Sequence, residues 1–439
     1  MGKNYSLYSS RNQKVHFSLP SQWSVLHFIE SGEDGPPPDV LQMVRKALEA
    51  PLGTAPLNNL VSSSDRIAII VDDWTRPTPV PEILQVLLPH LAINGIPREK
   101  VILVVALGTH VAMTKGELEA RIGREAASLY RVVQHNAWQS DLVPMSLPDG
   151  RVVKINPEVA HADVRIGISS ILPHPMAGFG GGPKILMPGV SDFEFIKEHH
   201  MKQTIHHRSV AGITKGNPFH ESCLRAAQAI GLDFSINCVY NQHGEIVRVV
   251  GGSLNAAFAA AVQSCYKELG VPFQEKVHIT ITSTYPHTHG HQFCKGLNAP
   301  DCVTKEDGAI LMLVPLAKPV SNKFVDSFDL LKERSSNNPV RFVKEAMCRG
   351  MPFLSQRPIE FNMAISCVIL RPKIRTILVS DMISENEARA MGFEYAPSVE
   401  EGVGLLAREY FNARVAIFPS GGLIVPMTGQ TPRQEFAAP

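Results

Sequence analysis

The sequence predicts an α/β protein with two α/β domains and mainly parallel sheets. Three observations carry this. Three strongly apolar runs rich in Val, Ile and Leu lie at Ile67–Val71, Val101–Leu107 and Val164–Leu172, as expected for strands buried on both faces. Each ends in a polar loop, and the first two lead on into helical stretches, the repeat that builds parallel sheets. A second such set follows Gly270-Val271-Pro272, a plausible hinge. The expected division is 1–272 and 273–439.

Taken in order, Val15–Leu19 and Trp23–Phe28 read as short strands around a Pro20-Ser21 turn. Asp39 reads as the N-cap of a helix over Val40–Leu48. The first long run ends in Asp73-Trp74-Thr75-Arg76-Pro77, and Pro79–Ile93 has helical periodicity. The second ends in Gly108-Thr109-His110, followed by a helix over Thr114–Ile122 with Thr114 and Glu117 spaced as a capping box. The third leads into a stretch with His174, the glycines Gly178, Gly180, Gly181 and Gly182, Lys184, and His199-His200 on a helix. Ser235–Tyr240 and Glu245–Val250 flank a hairpin turn, and Ala256–Leu269 is an Ala-rich helix. The second set has strands at Val277–Thr282, Ala309–Val314, Thr376–Ser380 and Val415–Phe418. Its helices lie near Phe328–Glu333, Pro339–Arg349, Glu385–Met391 and Val399–Phe411, and the tail from Gly429 is polar.

A chain of 439 residues with 44% hydrophobic and 19% charged residues suits a globular enzyme. A net charge of +1 gives no reason to expect nucleic acid as a partner. No apolar run approaches the roughly 20 residues of a membrane helix, and the polar start lacks an apolar signal segment. Seven cysteines without a C-x-x-C pair point to a reducing compartment without disulfides. The expected location is the cytoplasm.

In parallel sheets, ligands bind beyond the carboxyl ends of the strands. That rule gathers Asp73, Arg76, His110, His174 and Lys184 on one sheet edge. Arginine there suits a carboxylate or phosphate, and paired histidines suit proton transfer. The glycine loop fails as a P-loop because Pro183 and Ile185 flank Lys184 where Gly and Ser/Thr are needed. It fails as a dinucleotide fingerprint because Pro183 stands at the sixth position.

Together these loops resemble the nickel-dependent lactate racemase family, the nickel-pincer 2-hydroxyacid racemases and epimerases. The matching pieces are Asp73-Trp-Thr75-Arg76-Pro77, Gly108-Thr109-His110, His174-Pro-x-x-Gly178-Phe-Gly-Gly181-Gly182-Pro-Lys184, Pro188-Gly189, His200, Tyr285-Pro286, Gln292-x-x-Lys295 and Gly421-Gly422. The resemblance implies an active site in the interdomain cleft. It also implies a pyridinium mononucleotide with two sulfur-bearing arms, joined to Lys184 through a thioamide and holding nickel with His200 as the protein ligand. Spacing in the family favours His200 over His199. Asp73, Thr75 and the four glycines would bind the cofactor. Arg76, Gln292 and Lys295 would bind the substrate carboxylate, and His110 and His174 would serve as opposed acid/base groups during hydride transfer. Cofactor-synthesis enzymes and a small 2-hydroxyacid are the implied partners.

Departures from the family bear on the substrate. Gly180 stands where lactate-specific members carry Ser, and Phe361 takes the place of a tryptophan. The run His287-Thr288-His289-Gly290-His291 has no counterpart in the family pattern. Extra polar groups there suit an acid more polar than lactate, a hydroxy diacid or a sugar acid. The competing reading is a zinc hydrolase, because His287, His289 and His291 would share a face of an extended segment. A non-catalytic family member is the third reading.

Overall fold

The computed structural model describes residues 4–28, 39–204, 206–348, 360, 363–369 and 371–428. Phe361, Arg349 and the tail from Gly429 lie outside the described residues.

The three long apolar runs become neighbours in one six-stranded sheet. Its order is Ile246–Gly252, Phe234–Tyr240, Val164–Ser170, Ile67–Asp72, Val101–Ala106 and Arg131–Gln134. Every pairing is parallel except the hairpin between the first two strands. The strand Ile67–Asp72 is buried along its whole length. Alternate residues serve opposite faces: Ile69 and Val71 pack into one apolar cluster, Ala68 and Ile70 into another. Burial of each such aliphatic side chain contributes roughly 1.5–3 kcal/mol, which explains why these runs are dominated by aliphatic residues.

The second sheet also has six strands: Glu394–Tyr395, Arg375–Val379, Thr304–Leu313, Val277–Ser283, Arg414–Phe418 and Ser24–Phe28. Here all pairings are parallel. The last strand comes from the N-terminus, which the sequence reading grouped with the first unit. Tyr5, Leu7 and Phe17 pack into the same cluster as Ile279 and Ile281 of the second sheet. The expected hinge Gly270-Val271-Pro272 is part of a strand, Gly270–Phe273, paired in parallel with Val425–Thr428. Among the described residues no helix is long and apolar enough to cross a membrane.

Both sheets change direction of winding beside their first long strand. In the first, the chain leaves Ile67–Asp72 for Val101–Ala106 on one side and returns to Val164–Ser170 on the other. In the second, Val277–Ser283 lies between Thr304–Leu313 and Arg414–Phe418. Crevices open at such points beyond the strand ends, and here the two combine in one cavity.

Candidate active site

The cavity, about 130 Å³ and room for roughly ten waters, lies between the two sheets. From the first half Asp73, Arg76, His110, His174, Lys184 and His200 line it; from the second half His291, Gln292, Lys295 and Met363 do. The loop after Ile67–Asp72 supplies the middle. His110 and His174 arrive from the strands on either side of it.

That middle loop is fixed by a residue the sequence reading passed over. Arg121, on the last turn of the helix Lys115–Ile122, is buried and pairs with the Asp72 carboxylate. It also donates to the carbonyl oxygens of Asp72 (2.9 Å), Arg76 (3.1 Å) and Thr78 (2.8 Å). A buried arginine with four acceptors sets the loop geometry. Its signal in the sequence was only a charge on an otherwise ordinary helix.

Asp73 turns toward His110 and not directly onto Arg76. Its Oδ2 bonds His110 Nδ1, and its Oδ1 accepts from the Thr75 backbone N–H at 2.8 Å and from the Thr75 hydroxyl. Arg76 Nη1 donates to Thr75 Oγ1 at 2.6 Å. Thr75 thus joins the carboxylate to the guanidinium without lining the cavity itself. Burial alone would raise the Asp73 carboxyl, but His110, Arg76 and Thr75 outweigh it and hold Asp73 below its usual range.

His174 lies in a different setting. It is buried, and its Nδ1 accepts from the backbone N–H groups of Met176 (3.3 Å) and Ala177 (3.2 Å). Burial, then the charges of Lys184, Lys295 and Arg76, hold it well below the ordinary histidine value. Burial lowers Lys184 and Lys295 as well, and each is further depressed by Arg76. The cavity therefore concentrates cationic groups, while its two carboxylates are already engaged by Arg121 and His110. Such a site favours an anionic ligand.

Phe219 is a second residue not anticipated. It lies on the helix Pro218–Ile230 and is fully buried. Lys184 Nζ sits 5.0 Å from its ring centre, and the rings of His199 and His200 meet it edge-on at 4.4 and 4.9 Å. His200 is the one of the histidine pair that lines the cavity. Its Nδ1 bonds the Ile196 carbonyl at 2.9 Å and approaches His199 Nδ1 at 3.3 Å. His199 in turn directs Nε2 at the Phe219 carbonyl, 3.1 Å away. The helix carrying the pair spans Phe193–Gln203, so His206 and His207 fall beyond it.

Of the four glycines expected at the site, only Gly181 borders the cavity. Two of the other three are required by close packing. A Cβ on Gly178 would fall 2.1 Å from the Ile213 carbonyl oxygen, and one on Gly182 would fall 2.2 Å from the Phe258 ring. Amides of the run are also engaged: Gly180 N–H donates to Leu172 O at 2.8 Å, and Gly182 N–H to Ser169 Oγ at 3.0 Å.

The three histidines of the His287–His291 run do not share a face. His287 is buried with Nε2 unpartnered, His289 meets Trp74 at 4.4 Å, and His291 stacks on Phe324 at 5.4 Å. Among the described residues no three His, Cys, Asp or Glu side chains converge as a metal site. The extended segment on which the zinc reading depended is instead a turn leading into a 3₁₀ helix over Gly290–Leu297.

A family model described as the lactate racemase N-terminal domain matches residues 10–212. The lactate racemase of Lactiplantibacillus plantarum is 28% identical over 393 residues, 88% of this chain and 90% of that protein. That of Thermoanaerobacterium thermosaccharolyticum is 29% identical over 281 residues, 63% of this chain and 66% of that protein. The likeness to lactate racemases thus runs along most of the chain and indicates an isomerase of the racemase type. The fold agrees. The structure of the lactate racemase apoprotein from T. thermosaccharolyticum matches with a TM-score of 0.81 at 23% identity, over 97% of this chain and 100% of that one. A crystal structure of a Thermotoga maritima protein matches at 0.65 with 15% identity, over 89% and 98%. Within this fold, the cavity is where the two sheets of the chain bring their switch points together.

Proposed function

We propose that this racemase inverts C2 of a 2-hydroxyacid more polar than lactate, with a nickel-pincer nucleotide tethered to Lys184. The observation that carries this reading is the flanking of one carboxylate-binding loop by two histidines, His110 and His174, in a cavity rich in cations.

The residues fit the tethered group. Lys184 is buried over Phe219, and burial favours its neutral amine, the form an acyl-type linkage needs. His200 gives its Nδ1 proton to the Ile196 carbonyl, which leaves the Nε2 lone pair for a metal. A site with one protein ligand forms no histidine cluster. When bound, the nucleotide would supply the hydride acceptor and soft donors that suit nickel.

The side chains do the remaining work. Arg76, Gln292 and Lys295 hold the substrate carboxylate, Gln292 by donating from its Nε2. His110 takes the C2 hydroxyl proton at Nε2, and Asp73 stabilises the resulting imidazolium. After the keto acid presents its other face, His174 stands at the opposite oxygen position. Gly181 and the backbone beside it approach the nucleotide. Synthesis enzymes for the nucleotide are the partners this reading requires.

The test is intact and peptide mass measurement of protein produced together with those enzymes, alongside chiral chromatography of product. A mass increase on Lys184 with one nickel per chain and interconversion of C2 isomers is expected. Active enzyme with unmodified Lys184 would overturn the mechanism. Fastest turnover on lactate would overturn the substrate preference.

A further inference from the structure

The carboxylate clamp, the two catalytic histidines and the residues assigned to the nucleotide leave few polar groups of the cavity without a role, and His291 is one of these. His291 enters from the second half, is only partly exposed, and lines the cavity beside Gln292 and Lys295. Its ring is fixed: it stacks on buried Phe324 at 5.4 Å and 27°, and Phe324 packs edge-on against buried Phe328 at 5.3 Å. Its Nε2 lies 3.4 Å from Gln292 Nε2. The amide can only donate, so Nε2 accepts, and the proton of the neutral ring resides on Nδ1. Burial, then His110 and Lys295, keep the ring neutral, with its pKa lowered to about 3. His110, the group that meets the C2 hydroxyl, lines the same cavity as His291.

We propose that His291 determines specificity by donating a hydrogen bond from Nδ1 to an oxygen on C3 or C4 of the 2-hydroxyacid. This deepens the racemase reading and rests on it. An oxygen acceptor is the shared chemistry of a 3-hydroxyl and a second carboxylate, and the site distinguishes either from a methyl group. A polar group built to meet a substrate oxygen rejects the isostere lacking it, because it is then left unpaired in a buried place.

The experiment pairs acids of similar size. Glycerate and 2-hydroxybutyrate differ by a hydroxyl in place of a methyl; malate adds the carboxylate arm; lactate has neither. Cofactor-loaded wild type should prefer glycerate or malate over 2-hydroxybutyrate by about tenfold or more in kcat/KM. In His291→Phe, which retains the stack on Phe324, that ratio should collapse toward unity. His291→Gln, which restores an N–H donor, should recover part of it. Calorimetric titration of the same acids into cofactor-free protein should show the same change in affinity ratios. Whichever of glycerate and malate leads identifies the arm. A ratio unchanged in His291→Phe, or a wild type favouring 2-hydroxybutyrate, overturns the proposal. A loaded wild type that turns over no 2-hydroxyacid while the calorimetric ratio holds overturns the racemase reading instead.

Discussion

His110 and His174 follow strands on either side of the same loop, yet their surroundings are opposite. His110 is backed by a carboxylate: Asp73 bonds its Nδ1 and leaves the Nε2 lone pair to the cavity. His174 has no carboxylate partner. Two backbone N–H groups point at its Nδ1, which places the ring proton on Nε2, and its charged neighbours are Lys184, Lys295 and Arg76. One wall therefore presents a proton acceptor, the other a hydrogen-bond donor. Inversion at C2 needs one proton taken and one given, and the resting protein already distinguishes the two sides by second partners of identical imidazoles. The cations around His174 also mean that its protonation is easiest after anions have entered.

The largest expected effect comes from erasing this contrast. Asp73→Asn leaves a side chain of the same shape that no longer stabilises His110 as an imidazolium and can hold the wrong tautomer. Loss of kcat/KM by about 10³–10⁴-fold is expected in the loaded enzyme, with the circular dichroism spectrum retained. For a pair of enantiomers the loss must be equal in both directions, because their free energies are equal. A loss below tenfold would show that Asp73 does not back the base.

A second test sharpens the comparison through pH. The His174 wall is rich in buried neutral histidines: His199 lies well below its ordinary value, His200 is lowered to about 3 and His220 to about 4, all chiefly by burial. The folded pKa values lie below the unfolded value near 6.5, so the unfolded chain binds more protons between them. Stability is thus fully present above about pH 6.5 and declines as the pH falls, by up to about 1.4 kcal/mol per buried group for each unit. On the other wall Asp73 has a depressed value and contributes until far more acid conditions. Hydrogen exchange between pH 7 and 5 should therefore show Phe193–Gln203 and Pro218–Ile230 losing protection before Ile67–Asp72 does. Uniform loss across both walls would remove the distinction.

Both walls were legible in part from the sequence, for physical reasons. Apolar runs revealed the strands, and the rule for parallel sheets then placed Asp73, Arg76, His110 and His174 on one edge without any contact being known. Arg121 and Phe219 escaped because their roles depend on tertiary partners. A helix-end arginine and a helical phenylalanine look ordinary until the Asp72 loop and Lys184 are brought against them. The glycine run misled in part: it looked like a ligand cradle, but Gly178 and Gly182 are demanded by Ile213 and Phe258, more than 30 and 70 positions away. Such demands leave no local pattern. The alternate histidines failed similarly, since a period of two implies one face only in an extended strand, and this segment turns.

The smallest effect concerns the link between the His110 wall and the second half of the molecule. Lys318 pairs with Glu117 and lies 5.2 Å from the Trp74 ring centre, and Trp74 in turn meets His289. Trp74 adjoins Asp73, so these contacts hold the second half over the carboxylate-backed histidine. The Lys318 hydrogen bond and the Thr114 cap lower the Glu117 carboxyl to about 2, so the pair persists well into acid. Both side chains are substantially exposed, 47% and 31%, which limits the contribution. Lys318→Met should raise KM by about two- to fivefold and leave kcat unchanged. Because the charges are exposed, added salt should raise the wild-type KM toward that of the variant, the Debye length falling to about 3 Å at 1 M. A KM insensitive to both the substitution and salt would mean that the two halves stay together over His110 through their apolar contacts alone.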